Sequence, residues 1–418
     1  MPPPPLSSSR PAPPPAPPAG GGRRLVDGHV HVWAPPELAA SKYPYTAQLI
    51  GTNASAPPVD GSARRLLAAL AREAKAASAA SGVGALAVQA GCHQFDHSYL
   101  TDALRAAPPG TLAGCLLADP TQGAAAGVAA LRALAALTTD GDDARRRQLY
   151  RAVRFNPYLW PGHAAEPAGV KTTTTMTTTA AGTNDDDDDD DDRRMAGPTG
   201  RALFAAAGLV EMPVCFMPFR GLLGVADDIE RLMDASPATT VVIDHYGFCA
   251  CSSGGELLVG RSDEWRRLLS WAGTRPQVFV KASAAVRASR APFPHADAAL
   301  YGLRALVDAF GCQRVLFGTD WPWTDDAGTF AQAVAAAAAA AAGGGGGGSG
   351  GGGDGWIPYG YEGAWRLSAD AAAAGGGGAS WAGGGGRGAP PPLPLTDDEA
   401  AWVLGGTART LFPGAWDD

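Results

Sequence analysis

The feature that most restricts the fold of this chain is an alternation. Eight short apolar runs, many rich in β-branched residues, are separated by stretches with the period of amphipathic helices. The runs cover 26–33, 83–90, 112–119, 152–156, 213–219, 240–245, 277–283 and 314–320. Between them, 60–80 reads as a helix with Leu66 and Leu70 on one face, and 98–107 as a helix stopped by Pro108, Pro109 and Gly110. Leu131, Leu134 and Leu137 mark a third; 201–209, 229–233, 265–271 and 300–310 follow, and 396–411 closes the series with Thr396 and Glu399 at capping-box spacing. Strands that are apolar throughout must be buried on both faces, which calls for a parallel sheet covered by helices. Eight such units predict a closed (β/α)8 barrel, a TIM barrel, rather than an open doubly wound sheet. The latter would want a glycine fingerprint after its first strand, and none is present.

Composition matters mainly for what it removes. Residues 1–23 are dominated by proline, serine and alanine; 163–197 holds a threonine run and eight consecutive aspartates; 335–355 is poly-Ala into poly-Gly; 371–394 is alanine, glycine and proline. Such segments lack the apolar side chains that offset the entropy of ordering them, so they are expected as a disordered N-terminus and three disordered insertions in one barrel spanning 24–413. The aspartates at 185–192 account for the whole net charge of −8, leaving the remainder near neutral. No basic face suggests nucleic acid. Six scattered cysteines without a C-x-x-C pair read as reduced core thiols, and no apolar run reaches membrane-spanning length. The protein is expected in the cytoplasm, or in an organelle if Arg10, Arg23 and Arg24 in an acid-free N-terminus belong to a transit peptide.

In a barrel of this kind, chemistry sits at the C-terminal ends of the strands. The polar residues there are His29 and His31, Gln89, Asp119, Arg154 and Asn156, His245, Lys281 and Ser283, and Asp320, while the fifth strand ends on Met217. Alternation along the first strand is expected to put Asp27, His29 and His31 on one face and Val26, Val30 and Val32 on the other. Two imidazoles at that spacing suit a divalent ion, since zinc takes imidazole nitrogen at about 2.0 Å. A solvent-facing or core-bonded histidine pair is the bland alternative. His93 and His97, at the start of a helix, read as structural. Lys281 either contacts substrate or pairs with Asp244 or Asp119 inside the barrel. Trp33, Trp321 and Trp323 either wall a pocket or simply pack.

Five motifs together resemble the amidohydrolase superfamily, in its amidohydrolase-related branch. They are Asp27-Gly-His-Val-His-Val-Trp33, Val153-Arg-Phe-Asn-Pro157, Ile243-Asp-His-Tyr-Gly247, Val280-Lys-Ala-Ser283 with Arg287, and Phe317-Gly-Thr-Asp-Trp-Pro322. The closing Val403-Leu-Gly-Gly-Thr-Ala408 resembles the last helix of the family. That branch includes sugar-acid lactonases, a pyrone-dicarboxylate lactonase and muconate-semialdehyde-type decarboxylases. The resemblance implies a metal or proton-transfer centre of His29, His31, His245 and Asp320, with Asp320 and His245 catalytic. Arg154 and Arg287 are expected to hold substrate carboxylates, because a planar guanidinium pairs with them bidentately, with Lys281 as a further contact; the alternative for each arginine is a structural bond to barrel aspartates or carbonyls. Two departures stand out: Arg154 occupies the place of the bridging lysine of binuclear members, and Cys215-Phe-Met217 lacks the strand-five histidine. The implied cofactor is therefore one divalent, zinc-like ion, or none, as in the pyrone-dicarboxylate type. The expected activity is hydrolysis of a small carboxylate-bearing lactone or related carbonyl compound. A metal-dependent decarboxylase and a catalytically silent binding protein are the alternatives.

Overall fold

The structure is a computed structural model that describes residues 24–46, 56–57, 59–76, 82–139, 147–160, 194–249, 263–288, 298, 302–323 and 395–416. Eight strands follow one another around a single parallel sheet: β1 (Leu25–Val32), β2 (Val83–Gln89), β3 (Leu112–Leu117), β4 (Tyr150–Phe155), β5 (Val214–Phe216), β6 (Val241–Ile243), β7 (Val278–Ser283) and β8 (Val315–Gly318). The cylinder closes where the chain beyond β8 meets β1. There Asp320 N donates to His29 O at 2.9 Å, and His31 N donates to Trp321 O at 2.8 Å. The expected TIM barrel is the fold observed.

Helices α1 (Ala63–Ala76), α2 (Ser98–Ala106), α3 (Gly123–Ala135), α4 (Pro198–Leu209), α5 (Ala226–Ala235), α6 (Asp263–Thr274) and α7 (Leu303–Phe310) lie between the strands. Their apolar faces cover the outward strand residues in one continuous core. Leu66, Leu104, Phe204, Ile229, Trp265 and Leu306 meet Val30, Val153, Phe216, Ile243 and Val280 there. Each fully buried side chain of this size contributes about 1.5–3 kcal/mol.

The expected insertion 163–197 ends earlier than composition suggests. Met195 and Ala196 are buried, and Gly197 leads into α4, because methionine supplies apolar surface that the runs before it lack. Residues 163–193 of that segment, the N-terminal 23 residues and the insertions 335–355 and 371–394 lie outside the described residues. The last helix is also interrupted. A capped turn, Asp397–Ala401, passes through a wider turn at Trp402–Gly406 into Thr407–Leu411. A Cβ on Gly405 would stand 2.3 Å from Arg24 O, so this segment runs tightly against the entry to β1. The packed chain continues past residue 413 to Trp416, which is buried.

One expectation about β1 fails. Asp27 pairs with Ala85 whereas Val30 pairs with Ala87, so three steps on β1 oppose two on β2. This bulge reverses the alternation. Val26 therefore faces the barrel interior with Leu86, Val88 and Leu316, while Val30 and Val32 join the outer core. Asp27 does not share a face with the histidines. Its carboxylate accepts from Thr319 N (2.9 Å), Thr319 Oγ1 (2.6 Å) and His29 N (3.0 Å), tying β1 to the end of β8. Gly28 permits the bulge, because a Cβ there would come within 2.7 Å of Phe317 O.

Candidate active site

The bulge and the Asp27 clamp together bring the C-terminal ends of β1 and β8 into one site. Asp320 Oδ1 lies 3.4 Å from His31 Nε2 and 3.8 Å from both His29 Nε2 and His245 Nε2. His29 and His31 touch through their Nε2 atoms at 3.2 Å, and the rings of His29 and His245 have centroids 4.3 Å apart. Asp320 and His245 both adopt positive φ, at 66° and 51°. Neither residue type favours that region as glycine does, and such strained backbone clusters at functional sites.

Charge inside the site is arranged as a layered pair of ion clusters. Burial pushes the Asp320 carboxyl up, but Arg287 and then His245 and His31 outweigh it and hold it well below the usual carboxylate range. The closest of these contacts is Arg287 Nε donating to Asp320 Oδ2 at 2.6 Å. Beneath, Lys281 Nζ lies 3.0 Å from Asp244 Oδ1 and 3.1 Å from His29 Nδ1. Burial opposes charge on Lys281, yet Asp244 raises its pKa; in turn Lys281, ahead of His29, holds Asp244 ionised against its own burial. Burial, followed by Lys281, keeps His29 well below 6.5, and burial lowers His245 to about 3 despite Asp320 and Asp244. His245 Nδ1 is paired with Ser283 Oγ at 2.8 Å.

The residues singled out from the sequence divide into two groups. His29, His31, His245 and Asp320 come together as one cluster, and Arg287 joins it directly. Arg154 reaches from β4 to within 3.7 Å of Asp244 Oδ2, and its Nε has no hydrogen-bond partner among the described residues. Lys281 is fully buried below His29, so the wiring to Asp244 is realised and its ammonium does not face the open mouth. His93 and His97 are occupied elsewhere. His93 Nε2 accepts from Ala34 N at 3.1 Å, and His97 Nε2 accepts from Leu117 N at 2.9 Å. Trp321 is buried, and Trp33 packs on Trp323 with centroids 5.1 Å apart. A cavity of about 420 Å³ opens beside the cluster, lined by Phe219, Arg220, Phe248, Glu264 and Arg287. Arg220 and Phe248 escaped the sequence reading, although both follow strand ends; neither carries a motif that separates it from an ordinary loop residue.

A divalent ion fits this donor set. Ligand atoms of His29, His245 and Asp320 lie within 4.8 Å of one another, and two imidazoles with a carboxylate suit zinc-like ions. β5 offers no ligand, since Cys215 belongs to the apolar interior and Met217 is a thioether.

The sequence profile of the family described as Amidohydrolase matches residues 26–414. This chain belongs to the amidohydrolase family. Its members usually bind a metal, and a His–His–Asp group with ligand atoms close enough to share one is present here. Among solved structures, a candidate 2-pyrone-4,6-dicarboxylic acid hydrolase of Pseudomonas putida is 19% identical, with 93% of this chain and 97% of that one covered at a TM-score of 0.53. A candidate enzyme of the same description from Acinetobacter baumannii, with citric acid bound, is 14% identical over 93% and 98%, also at 0.53. An amidohydrolase of Burkholderia multivorans with zinc bound is 17% identical over 93% and 98%, at 0.50. At these identities the likeness is one of fold. No curated protein matches this amidohydrolase. No helix among its described residues is long and apolar enough to cross a membrane.

Proposed function

We propose that the protein hydrolyses a small lactone, or a related carbonyl compound, that carries carboxylate. The observation behind this reading is one ionised carboxylate, Asp320, ringed by three imidazoles and flanked by arginine. Asp320 accepts the proton of the attacking water, and the imidazoles of His29, His31 and His245 surround the carbonyl undergoing attack. A metal held by His29, His245 and Asp320, with His31 beside them, would supply Lewis acidity and lower the pKa of the water to about 7. That help suits a carboxylate as strongly stabilised as Asp320, which is a weak base on its own. Arg154 and Arg287 hold the substrate carboxylates, because a planar guanidinium pairs with them bidentately. Arg220 and the Phe248 ring add a cationic edge and a flat wall in the adjoining cavity, whose volume suits a small acid. Lys281 supports His29 instead of touching substrate.

The test is to incubate the full-length protein with 2-pyrone-4,6-dicarboxylate and a series of simpler lactones with and without carboxylates. Ring opening is followed by absorbance and carbon dioxide release in parallel. Ring opening that depends on the carboxylate and disappears in Arg154→Met is expected. Carbon dioxide release from carboxylated substrates, or indifference to every lactone by the folded protein, would overturn the reading in favour of a decarboxylase or a binding role.

A further inference from the structure

The hydrogen bonds below the imidazole cluster bear on where the proton of His29 sits. His29 Nδ1 is 3.1 Å from Lys281 Nζ, an ammonium with donors and no acceptor. That contact makes Nδ1 the acceptor and places the proton of the neutral ring on Nε2.

We propose that Lys281 is a positioning residue that holds His29 as its Nε2–H tautomer, so that His29 enters the reaction as a hydrogen-bond donor and binds a metal only after its proton changes nitrogen. The alternative seat for that proton is already built. Asp244 Oδ1 lies 3.5 Å from His29 Nδ1, and a histidine that ligates a metal commonly donates its other N–H to a carboxylate in this way. Lys281, closer to Nδ1 than Asp244 and bonded to the same carboxylate oxygen, intercepts that arrangement. One buried ammonium thus sets the balance between a donating and a ligating imidazole, and with it the affinity of the site for metal. The other groups around the ring, His31, His245 and Asp320, meet its Nε2 edge or its face and do not compete for Nδ1. This inference rests on the reading of the cluster as the reactive centre, but its test needs no turnover.

The experiment uses full-length protein labelled with ¹⁵N at histidine and stripped of metal by chelation, with the His29 signals assigned by their loss in His29→Gln. Long-range proton–nitrogen spectra are expected to show hydrogen on Nε2 and a bare Nδ1, and zinc titration to reverse this. Lys281→Met, of similar length but without a donor, is expected to place the proton on Nδ1 and to tighten zinc binding by about 10- to 100-fold in competition with a chelating dye. A proton on Nδ1, or on both nitrogens, in the metal-free wild type would overturn the proposal. So would unchanged zinc affinity in folded Lys281→Met. If that variant fails to fold, the wild-type spectrum decides alone. Failure of lactone hydrolysis would overturn the proposed function and leave the tautomer assignment standing.

Discussion

The two ends of the barrel interior are built from the same alternating strand residues and have opposite chemistry. At the base, Val26, Leu86, Ala113, Ala152, Val242 and Leu316 form an apolar plug, sealed from below by Phe412 and Trp416 of the C-terminal segment. Gly84 leaves the space, since a Cβ there would stand 2.5 Å from the Trp416 ring. At the mouth, the inward positions carry Arg154, Asp244, Lys281 and Asp320, nearly all removed from solvent. The base gains from excluding water around hydrocarbon. The mouth incurs the desolvation of several charges, repaid only because each is set against an opposite one. The difference teaches that stability and chemistry occupy separate layers of one cylinder, so each is open to perturbation without the other.

The sharpest separation is expected from Asp320→Asn. Asparagine tolerates the positive φ at this position, so folding should persist while turnover falls by about 10²–10⁴-fold. Unchanged turnover would remove Asp320 from the role of base. Trp416→Ala tests the opposite end. It should cost about 3–5 kcal/mol in denaturant unfolding while leaving KM unaltered; a shift in KM would show that the layers are coupled. The smallest effect concerns the outer core, where buried, neutral His97 packs against Tyr150 and accepts from Leu117 N. Burial lowers its pKa from 6.5 to about 4. A depressed folded-state pKa means that the unfolded chain takes the proton first, so the contribution of His97 is complete above 6.5 and lost as pH falls towards 4. The melting temperature of the wild type should decline across that window, and His97→Gln should flatten the decline.

The fold was legible in the sequence because burial on both faces imposes a nearly uninterrupted apolar run on each strand, and eight such runs leave few topologies. The capping box at Thr396 was equally plain, since Thr396 Oγ1 accepts from Glu399 N within four residues. Strand ends placed His29, His31, His245 and Asp320 in a longer list of polar candidates, and the resemblance to the amidohydrolase superfamily picked these four out of it. The face assigned to Asp27 did not survive, because a one-residue bulge leaves no trace in a hydrophobic pattern yet inverts everything before it. Met195, at the end of a low-complexity run, also read as part of that run.

Local order in the chain determined the strands, their number and the residues at their ends, because period and composition act over a few positions and are written into any short window. Only tertiary structure decided that Lys281 turns to His29 and Asp244, that Arg287 closes on Asp320 and that Arg220 and Phe248 flank the site. Those choices depend on distances between segments far apart in sequence, and on which buried charges must neutralise one another once water has gone.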